Sequence, residues 1–247
     1  MSIKKYGKLN LILGCMFSSK TSTLLARYNR YSIGNKKCLL IKYSEDNRYN
    51  SNDNSNDNNN TNIITHDGIK LNATSCTYLY EVDNIVSNYN VVCIDEIQFY
   101  KDAHIFCDKW SNEGLIVEAC GLNGNYKREP FEIISKLVPM ANDILFLKAV
   151  SKETGDDAVY SKRTSDEVDD VVIGGSEKYI AADRTTYFID KSVSKYHIDK
   201  FIKYVLIKYP NTENNIFNKA ETYINTLDIT VNTHLNYEEI YYKLNNL

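Results

Sequence analysis

Short unbroken apolar runs, separated by stretches of helical period, organise the first half of the chain. Leu11-Ile12-Leu13, Cys38-Leu39-Leu40-Ile41 and Val91-Val92-Cys93-Ile94 carry no polar interruption, the pattern of strands buried on both faces of a parallel sheet. They predict strands over 8–13, 37–42 and 91–94. Between the first two, Leu24, Leu25, Tyr28 and Tyr31 recur at helical spacing, which predicts a helix over 20–31 and a βαβ unit. Further strands are expected over 115–122 and 144–150, with helices over 103–112 and 131–137 between them. Residues 1–150 therefore read as a doubly wound α/β domain.

The pattern changes in three places. Residues 50–62 are almost entirely Asn, Ser, Asp and Thr, a composition that cannot bury enough apolar area to offset the entropy of ordering it. A flexible insertion is expected there, with a substrate lid as the functional alternative. Beyond Ser151 come short polar segments around a Val171-Val172-Ile173-Gly174-Gly175 core. In the tail, 190–247, Ile198, Phe201, Ile202, Val205 and Leu206 fit one face of an amphipathic helix, read first as packing on the core and second as a partner surface.

Composition narrows the function. At 247 residues and 43% hydrophobic, the chain has room for one sizeable core and a smaller appended unit. A formal net charge of -3 gives no broad attraction to nucleic-acid polymers, so a P-loop ATPase working on nucleic-acid strands is a distant outsider. The first ten residues are polar, and no apolar run approaches the roughly 20 residues of a membrane helix; neither a signal peptide nor a membrane partner is expected. The six cysteines lie in the N-terminal half with no CxxC pair, which fits a reducing, cytoplasmic compartment better than a disulfide framework.

Chemistry concentrates where strands are expected to end. Gly14-Cys15-Met16-Phe17-Ser18-Ser19-Lys20-Thr21 follows the GxxxxGK[ST] phosphate-loop pattern, except that Ser19 replaces the second glycine. Its backbone N–H groups and the following helix N-terminus suit the β-phosphate of ATP, Lys20 the β/γ oxygens, and the Thr21 hydroxyl a magnesium ion. A Cβ at Ser19 would crowd the backbone if that position needs positive φ. The apolar run 91–94 ends in Asp95-Glu96, placing Asp95 as a water-mediated magnesium ligand and Glu96 as acceptor of a hydroxyl proton. A further loop, Gly121-Leu122-Asn123-Gly124-Asn125-Tyr126-Lys127-Arg128, reads either as the lining of a ligand crevice or as a plain turn.

Together with Leu40 to Tyr49, Thr65-His66-Asp67, Ile94 to Phe99, Gly121 to Phe131, and Val172-Ile173-Gly174-Gly175 with Lys178-Tyr179, these segments resemble the type II thymidine kinases, the family of the cellular cytosolic enzyme and its poxvirus relatives. The match runs over about residues 8 to 188, and the tail has none. The resemblance implies a P-loop, RecA-like parallel sheet flanked by helices over 1–150 and a small lasso domain over 151–189, which leaves 190–247 as a helical extension. It also implies transfer of the γ-phosphate of ATP to the 5′-hydroxyl of thymidine or deoxyuridine. By position, Glu96 resembles the general base, with Lys20, Thr21 and Asp95 serving phosphate and magnesium and Asp46 and Arg48 near the phosphates. Met16, Phe99, Leu122 and Tyr126 resemble walls of the thymine pocket, and Tyr179 with Val172, Ile173 and Gly174 the lasso over the nucleoside. A homotetramer and feedback inhibition by thymidine triphosphate are implied as well.

Three departures stand out. Where zinc-bearing relatives carry two CxxC pairs, this chain has Ser151, Thr154, Asp183 and Thr186, so no structural zinc is expected. Ile97 stands where many relatives have glycine, adding bulk expected beside Glu96 and the ligand. Ser19 is the third. They motivate an alternative reading, a catalytically weakened relative acting as a nucleotide-binding or interaction protein.

Overall fold

Apolar strands with two buried faces need helices on both sides, and the chain supplies them in alternation. The computed structural model describes residues 5–45, 62–64, 70–164, 175, 178–188, 191–227 and 233–246. The chain divides into two compact units, Met1–Arg184 and Thr185–Leu247.

In the first unit β1 (Lys8–Gly14) leads into α1 (Lys20–Ile33) and β2 (Cys38–Tyr43). Next come β3 (Asn62–Ile64), β4 (Lys70–Asn72), β5 (Thr74–Cys76), α2 (Asp83–Val86), β6 (Val91–Ile94), α3 (Ala103–Asn112), β7 (Ile116–Leu122), α4 (Glu132–Leu137) and β8 (Asp143–Leu147). Six of these strands form one sheet in the order β5-β2-β6-β7-β1-β8, and every pairing in it is parallel. The expected α/β sheet flanked by helices is therefore present.

Alternation of side chains across each strand explains the unbroken runs. Leu9, Leu11, Leu13, Leu39, Ile41, Val92, Ile94, Val117 and Ala119 face one core with Cys107 and Trp110 of α3 and Ile133, Ile134 and Leu137 of α4. Ile12, Leu40, Val91, Cys93 and Cys120 face the other core with Leu24 and Leu25 of α1. One acid interrupts this apolar interior. Glu118, buried on β7, accepts hydrogen bonds from Asn10 Nδ2 at 2.8 Å, Arg27 at 2.6 Å and the Tyr31 hydroxyl at 2.8 Å. Two of those donors belong to α1, so the helix that follows the Gly14 loop is fixed to the sheet by charge-assisted bonds as well as by packing. Burial, with the adjoining carboxylate, pushes the Tyr31 hydroxyl up to about 12, which keeps it a donor.

One strand expectation needs correction, and one strand of the sheet was not expected. The run 144–150 does not continue as one strand: β8 stops at Leu147, and Ala149–Val150 (β9) pairs antiparallel with Asp157–Ala158 (β10). An ion pair between Lys148 and Asp157 at 2.8 Å spans the break. The edge strand β5, Thr-Ser-Cys, has no apolar run and gave no signal in the sequence. Of the Asn-rich stretch 50–62, Asn62 alone falls among the described residues, paired with Asn72 in the antiparallel β3–β4 pair. Beyond β10, Tyr160–Arg163 (β11) pairs antiparallel with Tyr179–Ala182 (β12), and α5 is Arg184–Phe188.

The second unit contains α6 (Lys191–Lys208), α7 (Asn215–Asn225) and α8 (Tyr237–Asn245). The expected stripe is present in part. Phe201 and Val205 are fully buried, with Ile198 packed beside them, against Ile216, Ala220 and Ile224 of α7 and Ile240, Tyr241 and Leu244 of α8. Leu206 points outward, 52% exposed, because it lies one residue past Val205 and so about 100° around the helix. The tail thus closes a core of its own, with Tyr209 stacked on Tyr241 at 4.1 Å. Among the described residues no helix is long and apolar enough to cross a membrane.

Candidate active site

The sheet order sets the carboxyl ends of β6, β7 and β1 side by side, and the candidate residues follow those three ends. After β1 the chain turns through Cys15 to Ser19 into α1. Gly14 has no room for a side chain: a Cβ there would lie 2.4 Å from the Leu147 carbonyl oxygen and 2.6 Å from Ser18 Oγ. Phe17 and Ser19 both adopt positive φ, 65° and 60°, so the loop coils tightly before the helix. Ser19 therefore meets the condition set for it, a positive φ, and its left-handed backbone is one that glycine adopts without the roughly 1–2 kcal/mol cost of a Cβ.

Side chains brace the loop from within. Ser18 Oγ donates to the Cys15 carbonyl at 2.8 Å, and Lys20 Nζ donates to the same carbonyl at 2.6 Å. The Lys20 ammonium thus lies across the loop at the N-terminus of α1, where helix and lysine charge add. Cys15 is wholly buried; its thiol donates to the Ala158 carbonyl at 3.2 Å, and burial raises its pKa.

The end of β6 meets this loop. Thr21 Oγ1 donates to the Asp95 carboxylate at 3.1 and 3.3 Å. Asp95 Oδ1 also accepts from the Glu96 backbone N–H at 3.1 Å and from the Cys120 thiol at 2.8 Å. Burial, and then Asp95 itself, pushes the Cys120 thiol well above its ordinary value, so the proton stays on sulfur. A hydroxyl and a carboxylate in contact are the hard oxygen donors that magnesium takes while keeping several waters. Thr21 and Asp95 fit that ion.

Glu96 is 8% exposed and left-handed, φ 52°, and opens a single 3₁₀ turn, Ile97–Phe99. Such strain in a non-glycine residue clusters at functional sites. Of the five described non-glycine residues with positive φ, Phe17, Ser19, Glu96 and Arg128 lie in these loops and Asn35 beyond α1 does not.

Ile97, next to Glu96 in this turn, is fully buried in the core. Gly121 explains how it fits: a Cβ on residue 121 would lie 2.8 Å from Ile97 Cγ2 and 2.4 Å from Gln98 Oε1. Gln98, which the sequence did not single out, donates to Glu96 Oε2 at 2.5 Å and accepts from the Leu122 backbone N–H at 3.1 Å.

The expected nucleoside residues divide into three sets. Phe99 packs on Tyr43 with ring centroids 5.1 Å apart, beside the Gln98–Leu122 link. Met16 donates its backbone N–H to Ser161 Oγ of β11 at 2.9 Å, holding that strand to the phosphate loop. Tyr126 and Tyr179 are joined by Arg163, a residue sequence reasoning missed. Its guanidinium lies 3.7 Å from the Tyr126 ring centroid and donates to the Tyr179 hydroxyl at 2.9 Å. In the 121–131 loop the Asn125 side chain accepts from the backbone N–H of Lys127 and Glu129, and Asn123 donates its backbone N–H to the Gly14 carbonyl at 3.3 Å.

Asp46, Arg48, Val172, Ile173 and Gly174 lie outside the described residues. At the positions of the expected zinc cysteines, Ser151 and Thr154 belong to a self-closed turn between β9 and β10. Ser151 donates its N–H to the Asp156 carbonyl at 2.9 Å, and Thr154 Oγ1 accepts from the Asp156 N–H at 3.2 Å. Hydroxyl groups and the buried Asp183 carboxylate do not make the soft thiolate set that structural zinc requires.

Comparison with known proteins agrees with this geometry. A family model described as thymidine kinase matches residues 7–187. The chain is 39% identical to thymidine kinase 1 of Dictyostelium discoideum over 186 residues, covering 75% of this chain and 80% of that protein. It is 36% identical to the thymidine kinase of sheeppox virus, covering 75% and 99%. The vaccinia virus thymidine kinase is 37% identical, covering 73% and 97%.

Proposed function

The chain belongs to the thymidine kinase family, and from that membership we propose that it transfers the γ-phosphate of ATP to the 5′-hydroxyl of thymidine or deoxyuridine. The observation that carries the reading is the contact of Thr21 with Asp95, which joins the phosphate loop to the strand end bearing Glu96. That contact supports assigning three parts of a phosphoryl-transfer site, loop, lysine and acids, to neighbouring strand ends.

Glu96 accepts the proton of the 5′-hydroxyl as its oxygen attacks the γ-phosphorus, and the bond to the ADP oxygen breaks in line. Lys20 and the loop N–H groups offset charge on the phosphate oxygens, a role in which preorganised donors contribute most of the rate. Thr21 and Asp95 would hold a magnesium ion, which would supply positive charge to the phosphates; Asp46 and Arg48 are assigned beside the phosphates. Met16, Phe99, Leu122, Tyr126 and Tyr179, with Val172, Ile173 and Gly174, are assigned to the nucleoside. Flat aromatic and aliphatic walls suit a methylated pyrimidine.

Label transfer from ATP to thymidine and deoxycytidine by the purified protein tests this. Labelled thymidine monophosphate is expected, with Glu96→Gln lowering kcat about 10²- to 10⁴-fold while ATP binding persists. Equally negligible turnover in both proteins, with ATP bound, would establish the alternative of a nucleotide-binding relative.

The same proposal includes a protein without structural zinc, in a reducing, cytoplasmic compartment. Metal analysis after dialysis checks the first point, and one zinc per chain would overturn it. A homotetramer and inhibition by thymidine triphosphate are further parts of it, read by light scattering and by assay with the triphosphate present.

A further inference from the structure

A glutamine that is 6% exposed must have its amide satisfied on both ends or it costs stability. Gln98 is satisfied by groups from two separate strand ends. Oε1 accepts from the backbone N–H of Leu122 at the end of β7, and Nε2 donates to Glu96 Oε2 in the turn after β6. The Leu122 N–H can only donate, so it fixes the orientation of the amide. A flipped amide would set two donors face to face at Leu122 and an oxygen against a carboxylate at Glu96.

The backbone is shaped to this contact. Glu96 takes a left-handed conformation and the next three residues form a 3₁₀ turn, and in this arrangement the side chains of Glu96 and Gln98 meet. On the other strand, Gly121 supplies the space, since a Cβ there would come within 2.4 Å of Gln98 Oε1. From this geometry we infer that Gln98 is a positioning residue for the transfer: it fixes the Glu96 carboxylate relative to the Leu122 wall of the nucleoside site. The inference rests on the kinase reading. The competing role is a strand cap, in which Gln98 serves only the Leu122 N–H.

Replacement by glutamate separates the two roles, because Gln98→Glu keeps an acceptor for Leu122 but loses the donor to Glu96. Steady-state kinetics of the full-length chain with thymidine and ATP are expected to show kcat reduced about 100-fold, with KM for ATP unchanged. If wild type is active and Gln98→Glu retains wild-type kcat, the inference is overturned and the kinase reading stands. If wild type transfers no phosphate to thymidine, both fall.

Should Gln98→Glu fail to fold, Gln98→Met, of similar length and uncharged, removes both bonds, and the split between kcat and KM then separates the two roles. It is expected to lose kcat while still binding ATP, and a rise in thymidine KM with kcat intact would make Gln98 a cap. The exchanged pair, Glu96→Gln with Gln98→Glu, again sets one amide against one carboxylate. Its unfolding midpoint is expected to recover towards wild type while turnover stays lost. A midpoint no higher than that of Gln98→Glu alone would show that the two side chains do not pair, which overturns the inference.

Discussion

The two parts of the proposed site, the loop assigned to phosphate and the residues assigned to the nucleoside, are built in opposite ways. The first is one contiguous octapeptide, Gly14 to Thr21, whose groups converge through backbone conformation: two left-handed residues, a glycine without space for a Cβ, and a carbonyl shared by Ser18 and Lys20. The second is assembled from side chains brought together by the fold, with Tyr126, Arg163 and Tyr179 arriving from three segments. Backbone-built sites depend on conformational permission, whereas side-chain-built sites depend on keeping particular groups. Substitutions on the two sides are therefore expected to move different constants.

The largest effect is expected on the nucleoside side. Arg163→Ala removes a stacked guanidinium and a hydrogen bond, together worth about 1.5–2 kcal/mol, so KM for thymidine should rise about 10- to 30-fold with ATP affinity unchanged. Arg163→Lys should recover little, since an ammonium cannot reproduce the planar stack. An equal loss of ATP affinity in steady-state assays would break the contrast.

A smaller shift is expected where the strand ends meet. Cys120→Ala withdraws a donor from Asp95, and the magnesium concentration for half-maximal rate should rise several-fold, as for loss of roughly 1 kcal/mol. Cys120→Ser should restore most of it. A magnesium titration indifferent to both substitutions would mean that the thiol contributes only packing.

The smallest effect belongs to the backbone-built side. Ser19→Gly should raise the unfolding midpoint by an amount corresponding to about 0.5–1 kcal/mol, because relief of the left-handed Cβ outweighs the added freedom of the unfolded chain. A lowered midpoint in thermal denaturation would show that the loop depends on the serine.

The same contrast separates the parts of the molecule that are legible in the sequence from those that are not. Strands such as Val91–Ile94 and the loop 14–21 are contiguous signals, and the structure holds both where the sequence puts them. The bonds of Gln98 and the bridge by Arg163 exist only after distant segments meet. Local sequence shows a polar residue in a turn and a basic residue in a short polar stretch, with nothing to mark either. Ile97 escapes local reading for the same reason, since the space it fills is left by Gly121 on another strand. In the tail, periodicity finds α6, but it counts Leu206 into a stripe that Phe201 and Val205 close without it.

The register of the central strands sets a limit on chain length. Ile94, the last residue of β6, pairs with Ala119, whereas β7 runs on to Leu122 opposite Gly14. The top of the sheet therefore carries a notch three residues deep, about 10 Å at the rise of a parallel strand. The connection from Asp95 to Gln98 follows at this level, with Asp95 in contact with Cys120 and Gln98 with Leu122 of the neighbouring strand. One residue added to or removed from this connection would shift every later position in the 3₁₀ turn by about 2 Å and rotate its side chain by roughly 120°. Insertions elsewhere on the surface leave that spacing untouched, so this short link behaves as the gauge block of the molecule.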